Sequence, residues 1–340
     1  MRQRLLLRLR RSRVGGRRED LPEGLRGGPG FQSGGARVVA RSENLVGPQA
    51  LAVELCSIPL RTPLIPAAGT LGKEVLDGAE DVYGAMLPKT VTPRPRAGNP
   101  PPRLAEAPSG MINSIGLQNP GLDRFLEDLD AFYTVGLPLF VSVAGDTVGE
   151  FASMCETLAS ETRVSAIELN LSCPNVEHGG GTFCASPSTV GDAVAASKGA
   201  LAGAKPVFVK LTNDGVVGNA VAAEEAGADA VTVINTIPAL VVDAGERRVF
   251  LRGGLSGPAI KPVALRAVYE VSRAVNIPVI GCGGVASGTD VAEFMLAGAT
   301  AVQVGAGGFV REPGAMLAEF AEYLRGAGLR AGDLAGALGT

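Results

Sequence analysis

The sequence predicts an α/β protein built as a (β/α)8 TIM barrel, and three observations lead there. Eight short apolar runs recur between Leu64 and Val304, amphipathic stretches separate them, and glycine-rich turns follow the last two. Such alternation implies a parallel sheet with crossover helices, and eight strands are the number that closes a barrel. A doubly wound open sheet shares the alternation and is the competing arrangement.

Taken in order, the chain begins with a Gly- and Arg-rich segment, 1–48, in which eight arginines precede the first acid, Glu19. It lacks periodic apolar spacing and is expected to be a disordered tail. Leu5, Leu6, Leu7 and Leu9 lie among its arginines, but no small-residue cleavage pattern follows a true apolar stretch. The barrel is expected over 49–330, with a short tail at 331–340. Its strands are expected at Leu64 to Ala67, Ala85 to Lys89, Leu139 to Val143, Ala166 to Leu171, Val207 to Leu211, Ala230 to Asn235, Val279 to Cys282 and Ala301 to Val304. Helices are expected at Leu122 to Phe132, Val216 to Ala226, Ala264 to Ala274 and Val291 to Ala297. Ala-Gly-Ala at 226–228 and again at 297–299 marks two helix ends, where glycine supplies the left-handed cap.

Composition narrows the function classes. A 46% hydrophobic content in 340 residues supplies one sizeable core. Aromatic residues make up 4% and tryptophan is absent, so stacking platforms for single-stranded nucleic acid are scarce. The net charge of −3 includes the arginine-rich start, which leaves an acidic body and argues against a nucleic-acid surface. Five cysteines without CxxC spacing form neither a disulfide framework nor a zinc site. Free thiols fit a reducing cytoplasm, and no metal ligation is expected. No apolar run reaches the length of about 20 residues needed to span a membrane.

Barrel active sites lie at the C-terminal ends of the strands. In order, those ends carry Gly69, Lys89, Ser142, Asn170, Lys210, Asn235, Gly283-Gly284 and Gly305. Two lysines among apolar residues are costly unless they meet an anion. The turns Gly281-Cys282-Gly283-Gly284 and Gly305-Ala306-Gly307-Gly308 occupy the position of the phosphate site common in barrels, and together point to a phosphorylated cofactor. The run Glu168-Leu169-Asn170-Leu171-Ser172-Cys173-Pro174-Asn175 ends a strand in a cluster of amides and one thiol. Such a set can bind a polar ring and move one of its protons.

Four motifs carry a resemblance to a known family. They are the 168–175 run, Gly98-Asn99-Pro100-Pro101-Pro102-Arg103, Asn113 to Gly121 (NSIGLQNPG) and Gly253 to Pro262 (GGLSGPAIKP). From about Leu51 to about Arg325 the chain resembles the dihydroorotate dehydrogenases, in particular class 1B catalytic subunits. The resemblance implies an FMN-bound barrel that oxidises dihydroorotate to orotate in pyrimidine biosynthesis. It implies Cys173 as the base that takes the C5 proton while C6 delivers hydride to flavin N5. Lys210 then resembles the residue beside flavin N1, and Lys89 the contact to the substrate carboxylate and the flavin. Substrate binding is implied for Asn113, Ser114, Ile115, Gly116, Leu117, Asn170, Asn175, Asn235 and Thr236. Cofactor binding is implied for Ala68, Gly69, Lys89, Thr90, Ser142, Asn170, Lys210, Ile234, Gly257, Gly283, Gly284, Gly305 and Ala306. Class 1B further implies a homodimer or heterotetramer, with electrons passing to a subunit carrying FAD and a [2Fe-2S] cluster.

The chain departs from the pattern at Ala68, where serine is usual, at Ser142, where asparagine is expected, and in a shortened 236–252 loop without its basic residue. Cys184 stands where glycine is common. A dihydropyrimidine dehydrogenase-type enzyme shares Asn-Leu-Ser-Cys-Pro and places its catalytic cysteine nearer Cys184, and a flavin-free barrel acting as a binding subunit is the third reading. His178, the only histidine, is expected on a mobile lid, and Arg94, Arg96 and Arg103 are expected on a solvated loop.

Overall fold

A computed structural model describes residues 48–338 except 73–75, 77, 134, 173 and 176–180; of residues 48, 174, 175 and 181 it describes the backbone. The segment 1–47, to which the sequence assigns a tail, lies outside the described residues, as do Cys173 and His178.

In chain order the strands are β1 (Val53–Leu55), β2 (Ile58–Leu60), β3 (Leu64–Pro66), β4 (Leu104–Ala107), β5 (Gly110–Asn113), β6 (Phe140–Val143), β7 (Ala166–Asn170), β8 (Pro174–Asn175), β9 (Gly181–Thr182), β10 (Val207–Leu211), β11 (Ala230–Val233), β12 (Ile237–Asp243), β13 (Arg248–Ser256), β14 (Val279–Cys282) and β15 (Ala299–Val304). Seven of them make a parallel sheet in the order β3-β15-β14-β11-β10-β7-β6. Helices including Val148–Ala159, Pro187–Leu201, Val216–Glu225, Lys261–Val271, Gly288–Leu296 and Pro313–Ala327 follow its strands in sequence.

The eighth strand expected at Ala85 to Lys89 is not a regular strand. Its segment still bonds to both outer strands: Gly84 N donates to Leu64 O at 2.8 Å, and Met86 exchanges 2.8 Å bonds with Pro138 O and Phe140 N. Pro88 has no N–H to give a ladder, so pairing breaks off and resumes only at Val91, which bridges to Val143.

The two faces of the sheet follow from the period of two along each strand. Val141, Ile167, Val209, Val231 and Val302 belong to the large cluster that also takes in the helices. The alternate positions Ile65, Phe140, Ala166, Phe208, Ala230, Ile280 and Ala301, one from each strand of the sheet, form a second apolar cluster. Phe140 and Phe208 meet edge to face in it, with ring centroids 5.2 Å apart. The hairpin β1-β2 adds Leu55 and Leu60 to this cluster. Two residues further along the same strands stand Ala67, Ser142, Glu168, Lys210, Thr232, Cys282 and Gln303. The same face thus turns from apolar to polar within one step of the pleat, and that second layer is where chemistry can begin.

A second sheet, antiparallel in the order β12-β13-β5-β4, was not expected from the sequence. The 236–252 segment expected as a loop is instead most of the β12-β13 hairpin, whose β12 alternates half-buried and exposed positions. The tail expected after residue 330 packs on the fold: Leu334 is fully buried, and Gly336 N donates to Met295 O at 3.0 Å.

Candidate active site

Above the polar layer lies a cavity of about 740 Å³, within the usual range for small-molecule sites. The parallel sheet supplies its floor and the antiparallel sheet one wall. Lys210 and Asn170 enter from adjacent strands at the same register, and Lys210 pairs on its other side with Thr232. Asn235 and Thr236 follow β11, Lys89 and Thr90 follow the interrupted segment, and Ala68 and Gly69 follow β3. Asn113 to Leu117 reach the cavity from the end of β5.

The amides form one connected set. Asn235 Nδ2 donates to Ser172 Oγ at 2.6 Å and to Asn170 Oδ1 at 3.2 Å, and Thr236 N donates to Asn235 Oδ1 at 2.8 Å. Their orientation is therefore fixed before any ligand arrives. Asn113 Nδ2 reaches Gly254 O at 3.4 Å across the β5-β13 pairing.

Gly283 and Gly284 line the cavity with φ of 130° and 80°, conformations that an L side chain rarely adopts. A Cβ on Gly284 would stand 2.7 Å from Lys261 N and 2.9 Å from Gly257 O. The backbone here is packed tightly against the start of the helix Lys261–Val271, so the turn presents main chain, not side chain, to the cavity. Gly257, Gly305, Ala306 and Ile234 line it beside that turn.

Ser142 does not line the cavity. It is 1% exposed, and its Oγ lies 2.9 Å from Thr90 Oγ1, which does line it. Ser142 therefore meets the cavity only through Thr90.

The floor holds a buried string of polar side chains. Lys210 Nζ donates to Gln303 Oε1 at 2.7 Å, and Gln303 Nε2 donates to Glu168 Oε2 at 2.6 Å. Thr232 Oγ1 donates to the same carboxyl oxygen at 2.9 Å. Burial works against the Lys210 charge, but Cys282 and Glu168 beside it more than offset this, so its pKa is raised. Burial pushes the Cys282 thiol up although Lys210 opposes it. Glu168 is the carboxyl that Gln303 joins to Lys210.

Comparison with known proteins agrees with this geometry. The family model described as dihydroorotate dehydrogenase matches residues 50–318. The chain belongs to the dihydroorotate dehydrogenase family. Among curated relatives, the protein of Geobacter sulfurreducens is 45% identical over 291 residues, covering 82% of this chain and 94% of its own length. That of Geobacter metallireducens is 46% identical over 286 residues, covering 81% and 93%, and that of Geobacillus kaustophilus is 45% identical over 269 residues, covering 76% and 85%. All three are named dihydroorotate dehydrogenase B (NAD(+)), catalytic subunit.

Of the two cysteines considered as the base in this dihydroorotate dehydrogenase chain, only Cys184 is among the described residues. Cys173 lies outside the described residues, directly after Ser172, which lines the cavity. The side chain of Asn175 is likewise not described, although its backbone pairs with Gly181 in the β8-β9 ribbon. Cys184 is 3% exposed and is not among the residues that line the cavity. Burial raises its pKa, with Thr212 hydrogen bonds opposing, so it is poorly suited to accept a proton.

Sequence reasoning missed Glu168, Thr232 and Gln303 as a group, along with Asn99, Met111 and Phe309 in the cavity wall. A signal existed for Glu168: an acid between Ile167 and Leu169 in a strand that reads as buried needs a partner. Arg103, expected to be solvated, braces this wall by donating to Ala97 O at 3.3 Å and Gln118 Oε1 at 2.6 Å. Arg96 pairs with Asp146 at 2.6 Å, while Arg94 is exposed as expected.

Proposed function

We propose that this chain catalyses FMN-dependent oxidation of (S)-dihydroorotate to orotate in pyrimidine biosynthesis. The observation that carries the reading is one cavity that joins two lysines, a pre-oriented amide set and a glycine turn with no room for a Cβ at Gly283 or Gly284. An anionic heterocycle and a phosphorylated cofactor both fit that donor set, and the names of the family and its relatives supply dihydroorotate as the heterocycle.

FMN, when bound, supplies the hydride acceptor that no protein side chain can provide. Gly283, Gly284, Gly305 and Ala306 would hold its phosphate, with Gly257 closing the turn behind them. Ala68, Gly69, Thr90, Lys210 and Ile234 would hold the ring, and Ser142 acts through Thr90. Lys89 would bind the substrate carboxylate as a point charge. Asn113, Asn170, Asn175 and Asn235 would fix the pyrimidine through paired donors and acceptors, with Thr236 beside them. The main chain from Ser114 to Leu117 would cover the substrate and exclude water. Cys173 would remove the C5 proton. Orienting the ring against that thiol and holding charge below it are the tasks of this chain's own residues.

The segment from Gly84 to Val91, bonded to both outer strands, supports closure of the sheet into a (β/α)8 barrel, with the catalytic unit beginning near residue 49. No helix among the described residues is long and apolar enough to cross a membrane, and a cytoplasmic site of action is inferred. The relatives' designation as catalytic subunits supports a partner subunit, and we propose that this partner removes electrons through FAD and a [2Fe-2S] cluster, in a homodimer or heterotetramer.

The absorption spectrum of the purified protein tests the reading. A flavin band bleached by dihydroorotate is expected. Bleaching only by dihydrouracil or dihydrothymine would replace it with a dihydropyrimidine dehydrogenase-type activity, and absence of flavin with a binding subunit. Cys173→Ala should slow the bleaching by about 10²–10⁴-fold, the usual worth of a positioned base, whereas Cys184→Ala should not.

A further inference from the structure

Glu168 is fully buried in the middle of β7, and its partners come from the far side of the fold in sequence: Gln303 lies 135 residues away and Thr232 lies 64. Both donate to Oε2, and among the described residues nothing donates to Oε1. An acid held this way is expensive for a fold to keep, since an apolar residue would pack as well. Its neighbours show what it is for. Gln303 is itself 1% exposed and has its amide turned so that the nitrogen faces Glu168 and the oxygen faces Lys210. That orientation lets one neutral side chain link an acid to an ammonium that it does not touch.

We propose that Glu168, acting through Gln303, is a positioning residue that fixes the Lys210 ammonium and its charge at the floor of the flavin cavity. The inference rests on the functional reading for the flavin but stands on the buried string itself. Lys210 is 5% exposed at the floor of the cavity, so its charge depends on what surrounds it. The titratable groups that face it among the described residues are Glu168 from β7 and Cys282 from β14, with Lys89 lining the same cavity. Burial pushes the Cys282 thiol up while Lys210 opposes it, and Lys89 adds charge of the same sign. Glu168 thus acts with Cys282 in favouring the Lys210 charge, and Gln303, which joins the acid to the ammonium, sets where its Nζ points. A fixed positive charge under the ring favours the reduced, anionic flavin.

The test follows Lys210 directly. The 13Cε resonance of Lys210, assigned by comparison with Lys210→Arg, is titrated in flavin-free protein of the full chain. Wild type is expected to keep Lys210 protonated across the pH range in which the fold persists. In Glu168→Gln its proton affinity should fall about tenfold or more, so that deprotonation becomes visible in that range. Gln303→Met, which leaves the acid in place and cuts the link, should give a smaller shift in the same direction and supplies the reading if Glu168→Gln does not fold. With FMN bound, the midpoint potential of Glu168→Gln should drop below wild type increasingly as pH rises. A loss of thermal stability alone, with the Lys210 titration of both variants matching wild type, overturns the proposal. Failure of the wild-type protein to bind FMN would instead overturn the functional reading, while the resonance titration still decides the role of Glu168.

Discussion

The floor and the wall of the cavity are built on opposite principles. The floor belongs to the parallel sheet, where Glu168, Thr232 and Gln303 are 0–1% exposed and hydrogen-bonded to one another. The wall belongs to the antiparallel sheet, where Leu104 is 54% exposed, and Asn99 touches the cavity from an exposed loop. A buried polar group keeps its partners because losing one leaves the other unsatisfied, whereas water replaces a lost partner at the wall. The difference teaches where each task can be placed. A charge that must not move belongs on the floor, and contacts that must admit and release a substrate belong on the wall.

The sharpest way to break the comparison is at the glycine turn beside the floor. Gly284→Ala puts a Cβ 2.7 Å from Lys261 N at a φ of 80°. Strain of about 1–3 kcal/mol precedes the clash itself, so flavin retention should be lost and the melting temperature lowered. A variant that binds FMN normally would show that the turn does not face the cofactor.

The two lysines, both carried by the parallel arrangement, come next. Lys210→Ala should weaken FMN retention or lower its potential with every substrate offered. Lys89→Ala should mainly raise KM for dihydroorotate, with a smaller effect on an analogue lacking the carboxylate. Equal losses for both analogues would count against a carboxylate contact at Lys89. On the wall, Asn99 donates to Ser114 Oγ at 2.9 Å and to Ser114 O at 3.2 Å, holding the strand end proposed to cover the substrate. Asn99→Ala should raise KM by about tenfold or less, with the flavin potential unchanged, because an exposed hydrogen bond contributes only about 0.5–1.5 kcal/mol. A changed potential would mean that wall and floor are coupled.

The smallest effect is expected far from the cavity, at Glu161. Arg163 hydrogen bonds hold its carboxyl down at about 2, against 4.5 for a free glutamate. Because the folded value is the lower one, its stabilisation is present above pH 4.5 and is lost as pH falls toward about 2. Glu161→Gln should flatten the acid limb of the melting curve within that window and change little at neutral pH. An unchanged acid limb would show that the pair contributes nothing to the fold.

The sequence by itself determined the alternation of strands and helices, the residues at the strand ends and the motifs of the family, because each is a local pattern of a few residues. Lys89, Asn113, Asn170, Lys210 and Asn235 were legible for that reason, and the structure gathers them in one cavity. Tertiary structure alone decided the rest. It broke the second strand at Pro88, folded 237–256 into a hairpin of the wall, set Ser142 behind Thr90, and brought Gln303 to Glu168 across 135 residues. Periodicity tells which face a residue takes, but the partner it meets there is set by which strands lie side by side, and that is settled only when the whole sheet has assembled.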